Sequence, residues 1–345
     1  MVYKFKFLDK FKFDYSTTKM NRKSDLVNFL IAAVFLLFLA LPGSVFAQQD
    51  PQFTQYLSAG NFFNPAFAGK GNGNQFSAFH RSQWQGYSST SGAGIPPTTQ
   101  LITFQGRLKA KNFGYGLTVV NDKLGASSNL DVNLQGSYHK QIRRTQLSFG
   151  GYFGVSNSTL DFEELQFVNP EPSLPQSGTE TQLALDMGAG LLVDGGNFYV
   201  GLSGRHLNQA SFDFGDGSFA NRLQLHNYLL MGYRMRPIGQ LRVEPSILIK
   251  SLGTNTLSYD ISVVAILQNK LTGGLAYRGE ESASVILGYS LLKDNSLKLG
   301  YAFDLVIGGK DAKAPTSHEL MLRYAWVDVS KTVNRVIQRT PRFRF

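Results

Sequence analysis

The stretch Leu297-Lys298-Leu299-Gly300-Tyr301-Ala302-Phe303-Asp304-Leu305-Val306-Ile307 decides the fold. Large apolar side chains take every second position, with Lys298, Gly300, Ala302 and Asp304 among the residues between them. A period of two sends successive side chains to opposite faces of a strand. The same alternation runs through 241–250, where Leu241, Val243, Ile247 and Ile249 alternate with Arg242, Glu244 and Lys250. It recurs through 257–265, where Leu257, Tyr259, Ile261 and Val263 alternate with Ser258, Asp260 and Ser262. Working outward, we read fourteen such segments, the first near 74–85 and the last near 317–327. Each is about ten residues or slightly more, the length a tilted strand needs to cross a bilayer. No segment between them holds a helical period over three turns.

The connections sort by length. Those after even-numbered segments are tight, as at Ala110-Lys111, Arg143 and Gln268-Asn269. The long ones, 86–96, 159–181, 208–222 and 309–316, all follow odd-numbered segments. The two rims are called below the short-turn end and the long-loop end. A β-sandwich has no reason to sort its loops in this way. The pattern predicts an all-β, transmembrane, antiparallel up-and-down β-barrel of about fourteen strands, with twelve to sixteen allowed. Short turns would face the periplasm and longer loops the cell exterior.

Composition agrees. Hydrophobic residues make up 43% and charged residues 17%, below the ~25% charged of a typical soluble domain. The 27 Phe, 15 Tyr and 35 Gly argue against disorder. Without cysteine there is neither a disulfide framework nor a thiolate metal site. A mean hydropathy of −0.13 is too polar for a bundle of apolar helices. The formal charge is +10, but acids stand between the basic residues, which gives nucleic-acid binding little support.

The N-terminus reads as an address. An apolar run, 27–41, follows Arg22 and Lys23, is broken by Pro42-Gly43, and leads to the small-residue pattern Val45 and Ala47. Residues 20–47 are expected to be a secretory signal peptide, with cleavage before Gln48. Nothing about export needs the Lys and aromatic residues before Met20, so 1–19 reads as a mis-assigned start. The rest divides into a periplasmic N-terminal segment (48–73), the barrel (74–327) and a basic tail (328–345). Phe53, Tyr56, Phe62, Phe63 and Phe67 need burial, and the segment is expected to tuck into the barrel's periplasmic mouth.

Chemistry is sparse. The five histidines show no metal-ligand spacing, and Ser317-His318-Glu319 would point to alternate faces of a strand. We expect no catalytic, cofactor or metal site. With Leu, Tyr and Phe facing lipid, the lumen would receive Arg242, Glu244, Asp260, Arg278, Asp304, Glu319 and Arg323. A charge on the lipid face costs ~2–4 kcal/mol at the midplane. Mixed signs inside suit a packed polar lumen better than an ion-selective channel.

Two blocks frame the chain. The first is Gln48-Gln49-Asp50-Pro51-Gln52-Phe53-Thr54-Gln55-Tyr56, then Asn64-Pro65-Ala66-Phe67-Ala68-Gly69, then Arg81-Ser82-Gln83-Trp84. The second is Gly300-Tyr301-Ala302-Phe303-Asp304, then Ser317-His318-Glu319. In their order and spacing they resemble the PorP/SprF family of the type IX secretion system, from Gln48 to about Tyr324. The resemblance implies a non-enzymatic outer-membrane barrel that works with the machinery for protein export and gliding. The implied partners are a secreted surface adhesin, or periplasmic ring and peptidoglycan-binding subunits. The family motif would include Gln52, Phe53, Gln55, Tyr56, Asn64, Pro65, Gly69, Arg81, Gln83, Trp84, Tyr301, Asp304, His318 and Glu319. The alternative on a similar barrel is a small-solute porin or a transporter of hydrophobic compounds.

Overall fold

The computed structural model describes residues 50–71, 73–86, 96–108, 112–164, 178–214, 219–253, 256–309 and 313–326. The expected signal peptide, the residues before it and the basic tail lie outside them. Strands β1 (Asn74–Gln85), β2 (Thr98–Leu108), β3 (Phe113–Leu124), β4 (Ser127–Ile142), β5 (Thr145–Asp161), β6 (Thr179–Asp194) and β7 (Phe198–Arg205) form one half of a barrel. A short hairpin follows, β8 (Ser211–Phe214) and β9 (Phe219–Arg222). The second half is β10 (His226–Tyr233), β11 (Leu241–Leu252), β12 (Thr256–Leu267), β13 (Leu271–Arg278), β14 (Ser282–Leu291), β15 (Leu297–Val306) and β16 (Thr316–Trp326). Every neighbouring pair is antiparallel, and β1 pairs with β16 to close a barrel of fourteen strands.

The expected segments are therefore the barrel strands, displaced by a few residues at their ends. The hairpin β8–β9 is an addition inside what reads as the loop 208–222. Its strands are four residues each, too short to stand out as an alternating segment.

Alternation fixes the two faces. On β15, Asp304 and Ala302 are buried while Leu299 and Leu305 are exposed. Around the outer wall Leu134, Leu183 and Leu275 are 66–68% exposed. A continuous apolar exterior of this kind suits hydrocarbon rather than water.

The core sits inside the barrel and is built largely by the N-terminal segment. Phe53, Tyr56, Phe62 and Phe63 pack against inward side chains of the wall, among them Phe79, Leu101, Leu192, Leu230 and Met321. Phe62 and Phe63 lie on a single helical turn, Gly60–Phe63, followed by a 3-10 turn, Pro65–Phe67. Phe53 meets Phe62 edge-on at 5.4 Å, and Phe62 meets Phe63 at 4.9 Å, the geometry ring quadrupoles favour.

The segment runs the length of the lumen. Asp50 reaches Arg205 and His226, beside the 208–222 connection at the long-loop end. Lys70 reaches Asp194, at the end of β6 on the short-turn end. The expected seat at the mouth thus extends through the whole interior. The long-loop end carries a second cover. Strand β5, with 17 residues, is the longest in the barrel and β6 has 16, and the hairpin β8–β9 packs on their lumen-side parity. Phe212 and Phe214 join Phe162, Leu160 and Ala184 there.

Candidate functional site

The site is the lumen segment together with the wall residues that hold it. A chain threaded through a barrel must satisfy its backbone groups there, because buried unpaired amides and carbonyls cost free energy. The wall supplies partners at successive heights.

The best-built station joins the two distant sequence blocks. Arg81 and Glu319 stand directly opposite each other across the β1–β16 seam. Arg81 donates to Glu319 Oε2 at 3.1 Å and to Asp304 Oδ2 at 2.6 Å. The segment completes the group. Thr54 N donates to Glu319 Oε2 at 2.7 Å, and Gln55 N donates to Glu319 Oε1 at 3.0 Å. The Thr54 hydroxyl lies 2.9 Å from the Asp304 carboxylate and accepts from Arg81 Nη1 at 3.0 Å. Arg81, Asp304 and Glu319 are each almost wholly buried. Two carboxylates, one guanidinium, one hydroxyl and two backbone amides meet here. The amides supply the donors that one arginine alone does not. Gly300 on the same wall leaves the space that the Gln55 side chain fills.

At the long-loop end Asp50 is the centre. Its carboxylate accepts from Tyr228 at 2.7 Å and lies 3.2 Å from Arg205. His206 sits between Asp50 and Asp186, with its ring nitrogens 2.9 and 3.0 Å from one carboxylate oxygen of each. Burial works against the Asp50 charge, yet Arg205, His226 and His206 outweigh it and hold the carboxyl well below its ordinary value. Arg205 also lies over the Phe62 ring at 4.2 Å. Sequence spacing shows no histidine pair, but the fold brings His206 and His226 to Asp50, with ligating atoms within 4.8 Å of one another. Arg205, Tyr228 and His206 surround the carboxylate in an ion-pair network.

Below these, Lys250 donates to Gln52 Oε1 at 2.9 Å and to Asp260 at 3.0 Å, and Asp260 also pairs with Arg278 at 3.0 Å. The Tyr56 hydroxyl meets Ser246 and Ser262 at 2.8 and 3.0 Å. Asn64 is a bridge. Its oxygen accepts from Ala66 N at 2.9 Å, and its amide donates to the carbonyls of Leu191 and Leu202 at 3.0 and 3.2 Å. Pro65 then starts the 3-10 turn, where a missing N–H costs nothing. The Ala68 carbonyl accepts from Ser137 and from His139 Nε2. Gly69 turns the chain with φ of +69°, and a Cβ there would stand 2.6 Å from Gly106 O. Lys70 ends the segment on Asp194 at 2.9 Å, where burial lowers its pKa against the pull of that carboxylate.

The remaining predicted residues lie elsewhere. Gln83 and Trp84 occupy the register shift between Ser82 and Gln85 near the long-loop end, where Trp84 N donates to Ser317 at 3.1 Å. Tyr301 and His318 have the opposite parity from Asp304 and Glu319 and bond to each other at 2.8 Å. Arg242, Glu244 and Arg323 face the lumen near the short-turn end, apart from the Arg81 group. Sequence reading missed Asp50, Thr54, Asp131, Asp186, Arg205, His206, His226 and Lys250 as interior residues. For those on the strands, the parity that selects Asp260 was the available signal.

Comparison with curated proteins finds no match. Among solved structures, the toluene transporter TbuX of Ralstonia pickettii is 14% identical with a TM-score of 0.48, over 78% of this chain and 93% of that one. A FadL homologue of Pseudomonas aeruginosa is 11% identical with a TM-score of 0.46, over 78% and 94%. Omp33 of Acinetobacter baumannii is 8% identical with a TM-score of 0.41, over 74% and 100%. The family model for the type IX secretion system membrane protein PorP/SprF matches residues 45–324, which takes in the lumen segment and every barrel strand but the last two residues of β16. The chain belongs to the PorP/SprF family of type IX secretion system membrane proteins.

Proposed function

We propose that this chain is a non-enzymatic accessory barrel of the type IX machinery in the outer membrane. It acts through binding surfaces at its two ends and does not conduct solutes through its lumen. The observation that carries this reading is the segment 50–71, which runs through the interior from rim to rim, occupies much of it and is bonded to the wall along its course. A small-solute porin needs that space, and a transporter of hydrophobic compounds needs an apolar path in it. Short turns would face the periplasm. The long-loop end, with its hairpin, would face outward and suit a secreted surface protein. The short-turn end would suit periplasmic ring or peptidoglycan-binding subunits.

Two measurements test this. Purified barrel in planar bilayers is expected to stay closed, and a stable open conductance would overturn the filled-lumen reading. Tagged barrel pulled from solubilised outer membrane is expected to bring machinery with it. A large surface protein would make it a client helper, ring components would make it an anchor, and barrel alone would count against both.

A further inference from the structure

The lumen is filled on one side only. Near the short-turn end a recess of about 240 Å³ remains between the segment and the six strands β11 to β16. It adjoins a second recess of about 320 Å³, and the two share Leu57, Ser58, Glu244 and Arg323. Three cations line the first recess: Arg242, Lys298 and Arg323. All three are partly buried. Several other interior charges are matched: Arg81 with Asp304 and Glu319, Arg278 and Lys250 with Asp260, Lys70 and Arg234 with Asp194. Among the described residues, no carboxylate lies within ion-pair distance of Arg242, Lys298 or Arg323. Glu244, the acid of this recess, is 3.9 Å from Arg234.

Like charges gathered in a half-buried space repel one another, and the repulsion ends when an anion enters. Two of the three are arginines, whose planar fork matches an oxyanion with two parallel bonds. Val264, Ile266 and Ile286 project into the recess between Arg242 on β11 and Lys298 and Arg323 on β15 and β16, with Thr272 among them and Leu57 of the segment beside them. An apolar strip flanked by cations on both sides describes a pocket for an amphiphile.

We propose that the recess binds a small molecule with an oxyanion head, carboxylate or phosphate monoester, on a short apolar body, entering from the short-turn end. The head would sit among Arg242, Lys298 and Arg323, and the body would lie on Val264, Ile266 and Ile286.

The test is calorimetric titration of the full barrel in a non-ionic detergent. The probes are hexanoate, hexyl phosphate, hexanol and inorganic phosphate. A saturable heat is expected from hexanoate, hexyl phosphate or both, with whichever binds naming the head group. Hexanol and inorganic phosphate should bind at least tenfold more weakly. The triple substitution R242Q/K298Q/R323Q should weaken the bound amphiphile at least tenfold, with heat-modifiable gel mobility confirming the barrel. Should that variant fail to fold, Arg323→Gln alone should weaken binding severalfold. Ile266→Asn should bring the amphiphile down towards inorganic phosphate while leaving phosphate unchanged. The proposal is overturned by hexanol binding as well as hexanoate, by inorganic phosphate binding as well as the amphiphiles, by unaltered binding in the cation variants, or by no heat from any probe.

Discussion

Thr54 and Glu319 stand 265 residues apart in the chain, and a 2.7 Å hydrogen bond joins the Thr54 amide to the Glu319 carboxylate. The bond ties the lumen segment to the strand that closes the barrel. Glu319 is at the same time the cross-seam partner of Arg81. One carboxylate therefore serves both barrel closure and seating of the segment.

Removing the cation from this group should be more damaging than removing the whole charge set. Arg81→Met leaves Asp304 and Glu319 buried without their counterion, a loss of ~3–5 kcal/mol for a broken buried pair. The triple substitution R81M/D304N/E319Q should recover part of it. Thermal unfolding of the detergent-solubilised barrel, followed by gel mobility, checks the order. A triple variant less stable than the single one would show that the carboxylates do not depend on Arg81.

Gly69→Val should unseat the short-turn end of the segment. Its φ of +69° disfavours a β-branched residue, and the new Cβ would meet the Gly106 carbonyl. Protease digestion should then cut within 50–71 in the variant and spare it in the parent. Equal protection in the two proteins would refute the proposed fit.

Acid should release the long-loop anchor only at low pH. The Asp50 carboxyl is held below its ordinary value of 3.8. Its contribution is therefore complete above that value and is lost as pH falls through the lower folded value. Asp50→Asn should destabilise the barrel at neutral pH and still at about pH 5, and the gap should narrow as pH falls below about 4. A gap that closes near neutrality would mean that another group controls the anchor.

The chain has no native cysteine, so single labels report parity cleanly. A nitroxide at Leu275→Cys should collide with oxygen dissolved in lipid, because Leu275 faces outward. One at Ser262→Cys should be shielded, because Ser262 is buried behind Tyr56. Equal accessibility at the two positions would contradict the assignment of faces.

The sequence by itself determined the barrel. Period-two alternation is a local property, and Leu299, Tyr301 and Asp304 declare their faces without reference to any partner. Loop lengths then distinguish the two rims. The aromatic run from Phe53 to Phe67 announced a need for burial but not its depth. Only the tertiary structure decided which charges meet. Asp50 finds His206 and His226, Thr54 finds Glu319, and Lys70 finds Asp194, over separations that no spacing rule spans. Parity says that a side chain points inward but not how high it stands or what stands opposite. That depends on the path of the segment through the lumen, which is fixed only once fourteen strands have closed around it. For the same reason Arg242 and Arg323 read like Arg278 and Asp304 in the sequence. The closed barrel separates them, giving Arg278 to Asp260 and Asp304 to Arg81 and leaving Arg242 and Arg323 facing an open recess.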